Sequence, residues 1–306
     1  MSEVRDKIIM FGASNGGRLF ISYANKSKKY EILAIADNDV SKQGTYFHGY
    51  PVIAPAEISN YEYDYIMITS IFVLQIQDQL INELKVAKSR IKAVPKSVLF
   101  SEKSHRPFED KKTMELARRT LLFIIDLFEA YDITYFIDHG TLLGIVRDGD
   151  IIPWDDDIDF SVYSDDLDKL IVCLRESISR FPMNEELKWE ANISYKRNGL
   201  LDSIEIIFNH NNDVGIKYFS ISITPNYFED GFAYQSVSYA PERFFKSVQH
   251  INYMGRMVSV PYDYEEYLEF HYGDWKKPKT DTSFLDMKNF KDPDIKEHKS
   301  IFSIAD

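Results

Sequence analysis

The chain is nearly without cysteine: Cys173 is the single one among 306 residues. No disulfide can form within one chain, and a reducing compartment is expected. Long apolar runs are missing too. The best candidate, LLFIIDLF, is short and broken by Asp126, well under the roughly 18 residues that a membrane span requires. The stretch MSEVRDKIIMFGAS passes from polar residues straight into a strand-like run, without the apolar region of a signal peptide. The expectation is a cytoplasmic protein with no transmembrane segment. Positive charge is also scarce: 36 Lys and Arg face 48 Asp and Glu, a formal net charge of −12. That sign repels phosphate backbones, so a general nucleic-acid binder is disfavoured. It repels a nucleotide substrate as well, unless a cation stands between them.

What is present is an ordinary globular mixture, 44% hydrophobic and 14% aromatic, long enough for about two domains. Residues 7–98 alternate strand-like runs (KIIMFG, YEILAIAD, DYIMITS, RIKAVP) with helical ones, including an amphipathic helix over 71–85. Alternation of this kind predicts a parallel sheet with crossover helices. A polar stretch with Pro95 and Pro107, Val94 to Lys111, reads as a linker, and His48 and His105 read as surface residues. Domains over 1–98 and 108–306 follow. The second opens with a long helix over KTMELARRTLLFIIDLFEAYD, then strand ITYFID, a turn and short helix GTLLGIVRD, strand DDIDFSV, and a helix over DDLDKLIVCLRESIS capped by Asp165 or Ser164. LDSIEIIFN and IKYFSISIT read as later strands.

The densest chemistry lies in IIPWDDDIDFSV, where Asp155, Asp156, Asp157 and Asp159 fall within five positions. Read as a strand, Asp155, Asp157, Asp159 and Ser161 share one face, while Ile158, Phe160 and Val162 go to the core. Asp157 and Asp159 then stand about 6.6 Å apart and repel by about 2.5 kcal/mol at an effective dielectric of 20. A divalent cation reverses that sign. Oxygen-only ligands point to Mg2+ or Mn2+. The plainer alternative is a solvated acidic edge; an EF-hand is opposed by Phe160 and Asp166 where Gly and Glu belong. Just upstream, Gly140 and Thr141 sit where a strand turns into a helix, offering N–H groups to a phosphate, with Arg147 two turns along.

Gly140-Thr141-Leu142-Leu143-Gly144, Arg147 and Ile152 through Asp159 resemble, in order and spacing, the signature of the LicD family, which includes bacterial phosphocholine transferases and fukutin-type ribitol-phosphate transferases. GRMVSVPYDYEEYLEFHYGDWKKP, Gly255 to Pro278, is similar to the family's closing segment. Together the matches span roughly residues 112–280. The resemblance implies an α+β nucleotidyltransferase-fold domain. It further implies Mg2+ (or Mn2+) at Asp157 and Asp159, helped by a later carboxylate, and a CDP-linked donor gripped by Gly140, Thr141 and Arg147. Glu205 is the preferred third carboxylate and Asp202 its rival. Three positions apart on a strand, they are expected on opposite faces. The chain departs from the family at Asp148, Asp150 and Ile151, positions expected to touch substrate.

In the first domain MFGASNGGRLF resembles a dinucleotide fingerprint, with Gly12, Ser14, Gly16 and Gly17, and Asp37 ends the second strand as a ribose partner would. The order also resembles the N-terminal domain of bacterial sugar O-acyltransferases. This α/β, Rossmann-like unit is expected either to bind a nucleotide or nucleotide sugar, or to be structural or dimerising. The functional expectation is a transferase moving phosphocholine or an alditol phosphate from a CDP-linked donor to a glycan hydroxyl, in surface polysaccharide modification. Asp155 or the later carboxylate is the candidate base. Transfer of a nucleoside monophosphate and a catalytically silent nucleotide-sugar-binding protein remain alternatives, and a homo-oligomer is left open.

Overall fold

The structure, a computed structural model, describes residues 5–99, 106–210, 214–279 and 282–294. His105, part of the linker and residues 295–306 lie outside them. Two compact units form: residues 1–102 with 279–293, and residues 103–278 with 294–306. The return of 279–293 to the first unit departs from the expectation that 108–306 is one continuous domain.

The first unit has strands β1 (Asp6–Phe11), β2 (Tyr30–Ala36), β3 (Tyr46–Phe47), β4 (Tyr50–Ile53), β5 (Tyr65–Ile68) and β6 (Ile91–Ala93). Its helices are α1 (Asn15–Ser27), α2 (Val73–Asp78) and α3 (Lys96–Leu99). The strand order is β3-β4-β2-β1-β5-β6, parallel except for the β3–β4 hairpin. The runs IIMF and YIMI are buried throughout, as strands covered on both faces must be. The helix expected over 71–85 is shorter: α2 gives way to a π-helical stretch at Gln79–Glu83. Asp292 of the returning segment accepts from the N–H groups of Leu74 (2.9 Å) and Gln75 (2.7 Å) in the first turn of α2. A carboxylate from the far end of the chain thus supplies a cap that α2 lacks locally.

The second unit contains α4 (Lys111–Ala130), β7 (Tyr135–Ile137), α5 (His139–Asp148), β8 (Asp157–Tyr163), α6 (Leu167–Ser177), β9 (Lys188–Tyr195), β10 (Leu201–Asn209) and β11 (Ser220–Glu229). The short strands β12 (Phe232–Tyr234) and β13 (Tyr239–Pro241) follow, then the hairpin β14 (Val248–Tyr253) and β15 (Arg256–Pro261), and α7 (Tyr264–Tyr272). The sheet runs β7-β8-β11-β10-β9, with β8 and β11 parallel and the other pairs antiparallel. Asp110 caps α4 by accepting from Thr113 N–H at 2.8 Å. Asp166, not Asp165 or Ser164, holds the cap position of α6, and its carboxylate is turned to Thr134 N–H (2.9 Å) instead.

Ile158, Phe160 and Val162 are buried as expected, together with Ile221, Ile223, Ile204 and Ile206 on the neighbouring strands. Leu121, Ile124 and Phe128 of α4 and Leu170, Cys173 and Leu174 of α6 join this core. Phe128 meets Phe160 edge-on at 5.4 Å. Each such side chain contributes about 1.5–3 kcal/mol of burial, so the register of β8 is held firmly and its alternate residues must face the other way. Burial pushes the Cys173 thiol up to about 11, consistent with a packing role.

Gly17 allows α1 to close on the β1 turn: a Cβ there would collide with the Gly12 carbonyl oxygen. Gly17→Ala is expected to destabilise the first unit by about 1–3 kcal/mol, read as a lowered denaturant midpoint.

Candidate active site

The site is built where β7 hands over to α5 against β8. Asp138 is extended and caps α5, accepting from His139 N–H at 2.8 Å. His139 has φ +43°, a left-handed conformation that costs about 1–3 kcal/mol and clusters at functional sites. The next N–H, that of Gly140, donates to Asp159 Oδ2 at 3.0 Å, and Asp159 N–H donates to Thr141 Oγ1 at 2.8 Å. Gly140 has no room for a side chain, because a Cβ would collide with Asp155 Oδ2 and lie 3.4 Å from Asp159 Oδ2. The glycine turn and the aspartates therefore meet as the sequence suggested, but the Gly140 N–H is occupied by Asp159 rather than open to a phosphate.

Asp155, Asp156 and Asp157 each present a carboxylate oxygen within 4.8 Å of the others. At that distance a pair repels by roughly 3–4 kcal/mol at an effective dielectric of 20, less where solvent screens it. A hard divalent cation takes oxygen ligands of this kind, so the donor set fits Mg2+ or Mn2+. β8 begins at Asp157, so Asp155 and Asp156 belong to the preceding loop and not to the strand face on which Asp155 was expected. Asp159 lies beside Ser222 of β11, which lies beside Glu205 of β10. Glu205 thus shares the row and face of Asp159, but two strand spacings away, about 10 Å. Asp202 sits at a register shift between Leu201 and Ser203, which invalidates counting faces from Glu205. It is 2% exposed, with Oδ2 accepting from Ser236 Oγ at 2.7 Å and Oδ1 without a hydrogen-bond partner among the described residues.

Arg147 does not stand ready for an anion. Its side chain is 8% exposed and pairs through two nitrogens with Asp148, 5.8 Å from the Trp154 ring. Asp150 is bound by Arg118 (3.1 Å from Nε), Tyr253 OH (3.0 Å) and Ile151 N–H (2.9 Å). Burial alone would raise its pKa, but these donors outweigh it and hold the carboxyl below its ordinary range. Ile151 is buried. Of the departures from the family pattern, Asp150 and Ile151 fasten the loop that delivers the aspartates, while Asp148 pairs with Arg147. Gly144 lets this loop pass; a Cβ there would lie 2.5 Å from the Asp150 carbonyl oxygen.

Several site residues escaped the sequence reading. Asp138 is wholly buried, and although burial opposes ionisation, His139, His271 and the Tyr267 hydroxyl hold its pKa below the usual value. Tyr267 and His271, one turn apart on α7, face this group: Tyr267 OH donates to Asp138 Oδ1, and the His139 and His271 rings meet edge-on at 5.4 Å. The Tyr272 phenol is pushed well above its ordinary pKa by burial and then by Asp159, Asp155, Asp138 and Asp157, so it stays protonated beside the carboxylates. The i, i+4 spacing in YLEFHY and the cap position of Asp138 were readable signals; Gln235, which bonds to Asp138 and His139, left none.

In the first unit Gly12 takes φ +120° at the turn after β1, and Gly16 and Gly17 lie in the first turn of α1. Ser14 precedes the helix without a side-chain capping bond. Asp37 is tied inward: Oδ2 accepts from Ala13 N–H at 2.7 Å and Oδ1 from Asp39 N–H at 2.9 Å, with Lys42 Nζ 3.4 Å away. The carboxylate expected at a ribose therefore fastens the glycine turn to the end of β2.

The site thus joins a helix start to an Asp-x-Asp strand of a mixed sheet. Residues 132–263 match the family model described as LicD/FKTN/FKRP, nucleotidyltransferase domain. Residues 4–92 match a second family model, described as C2185-like, N-terminal. The ribitol 5-phosphate transferase FKRP of Mus musculus is 25% identical over 164 residues, 51% of this chain and 31% of its own length. The lipopolysaccharide cholinephosphotransferase LicD of Haemophilus influenzae is 37% identical over 65 residues, 20% of this chain and 24% of its own. The chain thus spans less than a third of either relative. Among solved structures, the lincosamide antibiotic adenylyltransferase LnuA aligns at 20% identity and TM-score 0.33 over 55% of this chain and 89% of its own, too distant a likeness to bear on activity.

Alanine is the better helix former by about 1 kcal/mol, so Gly140→Ala is expected to leave the fold intact. Because its Cβ must displace Asp155, any stabilisation by Mg2+ should be lost, as measured by thermal melting with and without Mg2+.

Proposed function

We propose that this chain is a Mg2+-dependent (or Mn2+-dependent) transferase that moves phosphocholine or an alditol phosphate from a CDP-linked donor to a glycan hydroxyl. The observation that carries the reading is the seating of Asp159 on Gly140 beneath Asp155, within a domain whose named relatives transfer ribitol phosphate and phosphocholine. Asp155, Asp157 and Asp159 would hold the metal. When bound, a divalent cation supplies positive charge to the donor pyrophosphate and the departing nucleotide. In the reaction the acceptor hydroxyl oxygen bonds to the phosphorus bearing the alcohol, the pyrophosphate bond breaks, and the nucleoside monophosphate leaves. The hydroxyl proton goes to a carboxylate. Glu205, which shares the face of Asp159, is the candidate for this. Thr141 braces Asp159 through its backbone, and Arg147 with Asp148 stiffens the approach. The acceptor class, a glycan of the surface polysaccharide type, follows the bacterial relative, a lipopolysaccharide cholinephosphotransferase. No helix among the described residues is long and apolar enough to cross a membrane.

A thermal-shift screen of CDP-choline, CDP-ribitol, CDP-glycerol and UDP-sugars, with and without Mg2+, tests the donor. The matching donor at a hundred times its Kd should stabilise the protein by about 2.7 kcal/mol, only when Mg2+ is present. Asp157→Asn and Asp159→Asn should each abolish that shift without unfolding the chain. Undiminished transferase activity in either variant would refute the assignment.

A further inference from the structure

Gln235, buried just beyond β12, uses every hydrogen-bonding position of its amide. Nε2 donates to Asp138 Oδ2 at 2.8 Å and to Asn226 Oδ1 at 3.0 Å. Oε1 lies 2.7 Å from His139 Nε2 and accepts from Ser238 Oγ at 3.0 Å. A primary amide has two donors and two acceptor positions, and all four are taken. The orientation follows from chemistry. Asp138 already accepts from His139 N–H and Tyr267 OH, and an ionised carboxylate only accepts. The amide nitrogen must therefore face Asp138 and the oxygen must face His139. His139 Nε2 then carries the ring proton, its tautomer set by the partner. That ring belongs to the left-handed residue at φ +43° that starts α5, and the next N–H holds Asp159 Oδ2 at 3.0 Å.

We infer that Gln235 is a positioning residue for the carboxylate site: through Asp138 and His139 it holds the start of α5 in its left-handed turn and so seats Asp159 for a divalent cation. The inference rests on the metal-dependent reading above. Asp138 and His139 are adjacent in the chain, and the Gln235 side chain bonds to both, so one amide sets the angle between them. Without it Asp138 loses a donor, the His139 ring loses its acceptor, and the turn that directs Gly140 N–H at Asp159 loses two of its restraints.

The test is a Mn2+ titration of the intact protein, followed by electron paramagnetic resonance, on the unmutated chain, Gln235→Met, His139→Asn and the double variant. Methionine keeps the length of glutamine without its hydrogen bonds. Asparagine tolerates the left-handed backbone but lacks the ring. Each single variant is expected to raise the Mn2+ dissociation constant about 10–100-fold, the range typical of outer-shell partners of metal ligands. The double variant should be no worse than the weaker-binding single, since both cut the same chain of contacts. Melting by circular dichroism is recorded alongside. A lowered melting temperature with unchanged Mn2+ affinity would overturn the inference and mark Gln235 as a core residue only; additive losses would overturn it as well. If Gln235→Met does not fold, His139→Asn and Ser238→Ala decide in the same way. Unmutated protein that binds no Mn2+ would overturn the metal-dependent reading too, whereas unchanged affinity in the variants alone leaves that reading standing.

Discussion

The hydrogen bond from Gly140 N–H to Asp159 Oδ2 is the contact on which the site depends. A helix start is electropositive and carries unsatisfied donors, and here one of those donors is spent on a carboxylate of the facing strand. The contact demands three things at once. Gly140 must lack a side chain, since Asp155 occupies the space. His139 must accept a left-handed backbone. β8 must also keep its register, which the burial of Ile158, Phe160 and Val162 enforces. Helix, strand and loop thereby become one object, with the loop anchored through Asp150 to Arg118 and Tyr253.

The surrounding charge explains why the site suits a cation. The three consecutive aspartates bring their oxygens within 4.8 Å of each other in a chain that is already at −12. Beneath them lies the buried, ionised Asp138, compensated by two histidines and a tyrosine hydroxyl. The protonated Tyr272 faces the same group. Negative charge is thus arranged in two layers. The inner one is satisfied by the protein, and the outer one is where a divalent ion would lower the electrostatic energy.

The first unit shows how the same motif vocabulary can be closed rather than open. Its glycine turn has the tight helix–strand approach of a dinucleotide fingerprint, since Gly17 lies against the Gly12 carbonyl. Yet Asp37 spends both oxygens on backbone N–H groups nearby, and Asp292 takes the first-turn donors of α2. The carboxylate and the helix-start donors are thus engaged by partners within the unit.

The sequence by itself determined the alternating elements of the first unit, the core face of β8, the glycine at the start of α5 and the clustering of the aspartates. All of these are local: a period of two or of about 3.6, a residue without a side chain, and a run of like charge are readable within a few positions. Tertiary structure alone decided the rest. The partners that hold Asp150, Arg118 and Tyr253, lie far from it in the chain. The facing of Asp202 depended on a register shift that no alternation announces. Gln235 reached Asp138 and His139 only because β11 and β12 fold back beside β8. A lone buried polar residue has no periodicity to betray it; its meaning lies wholly in the partners that the packed chain brings within hydrogen-bonding distance.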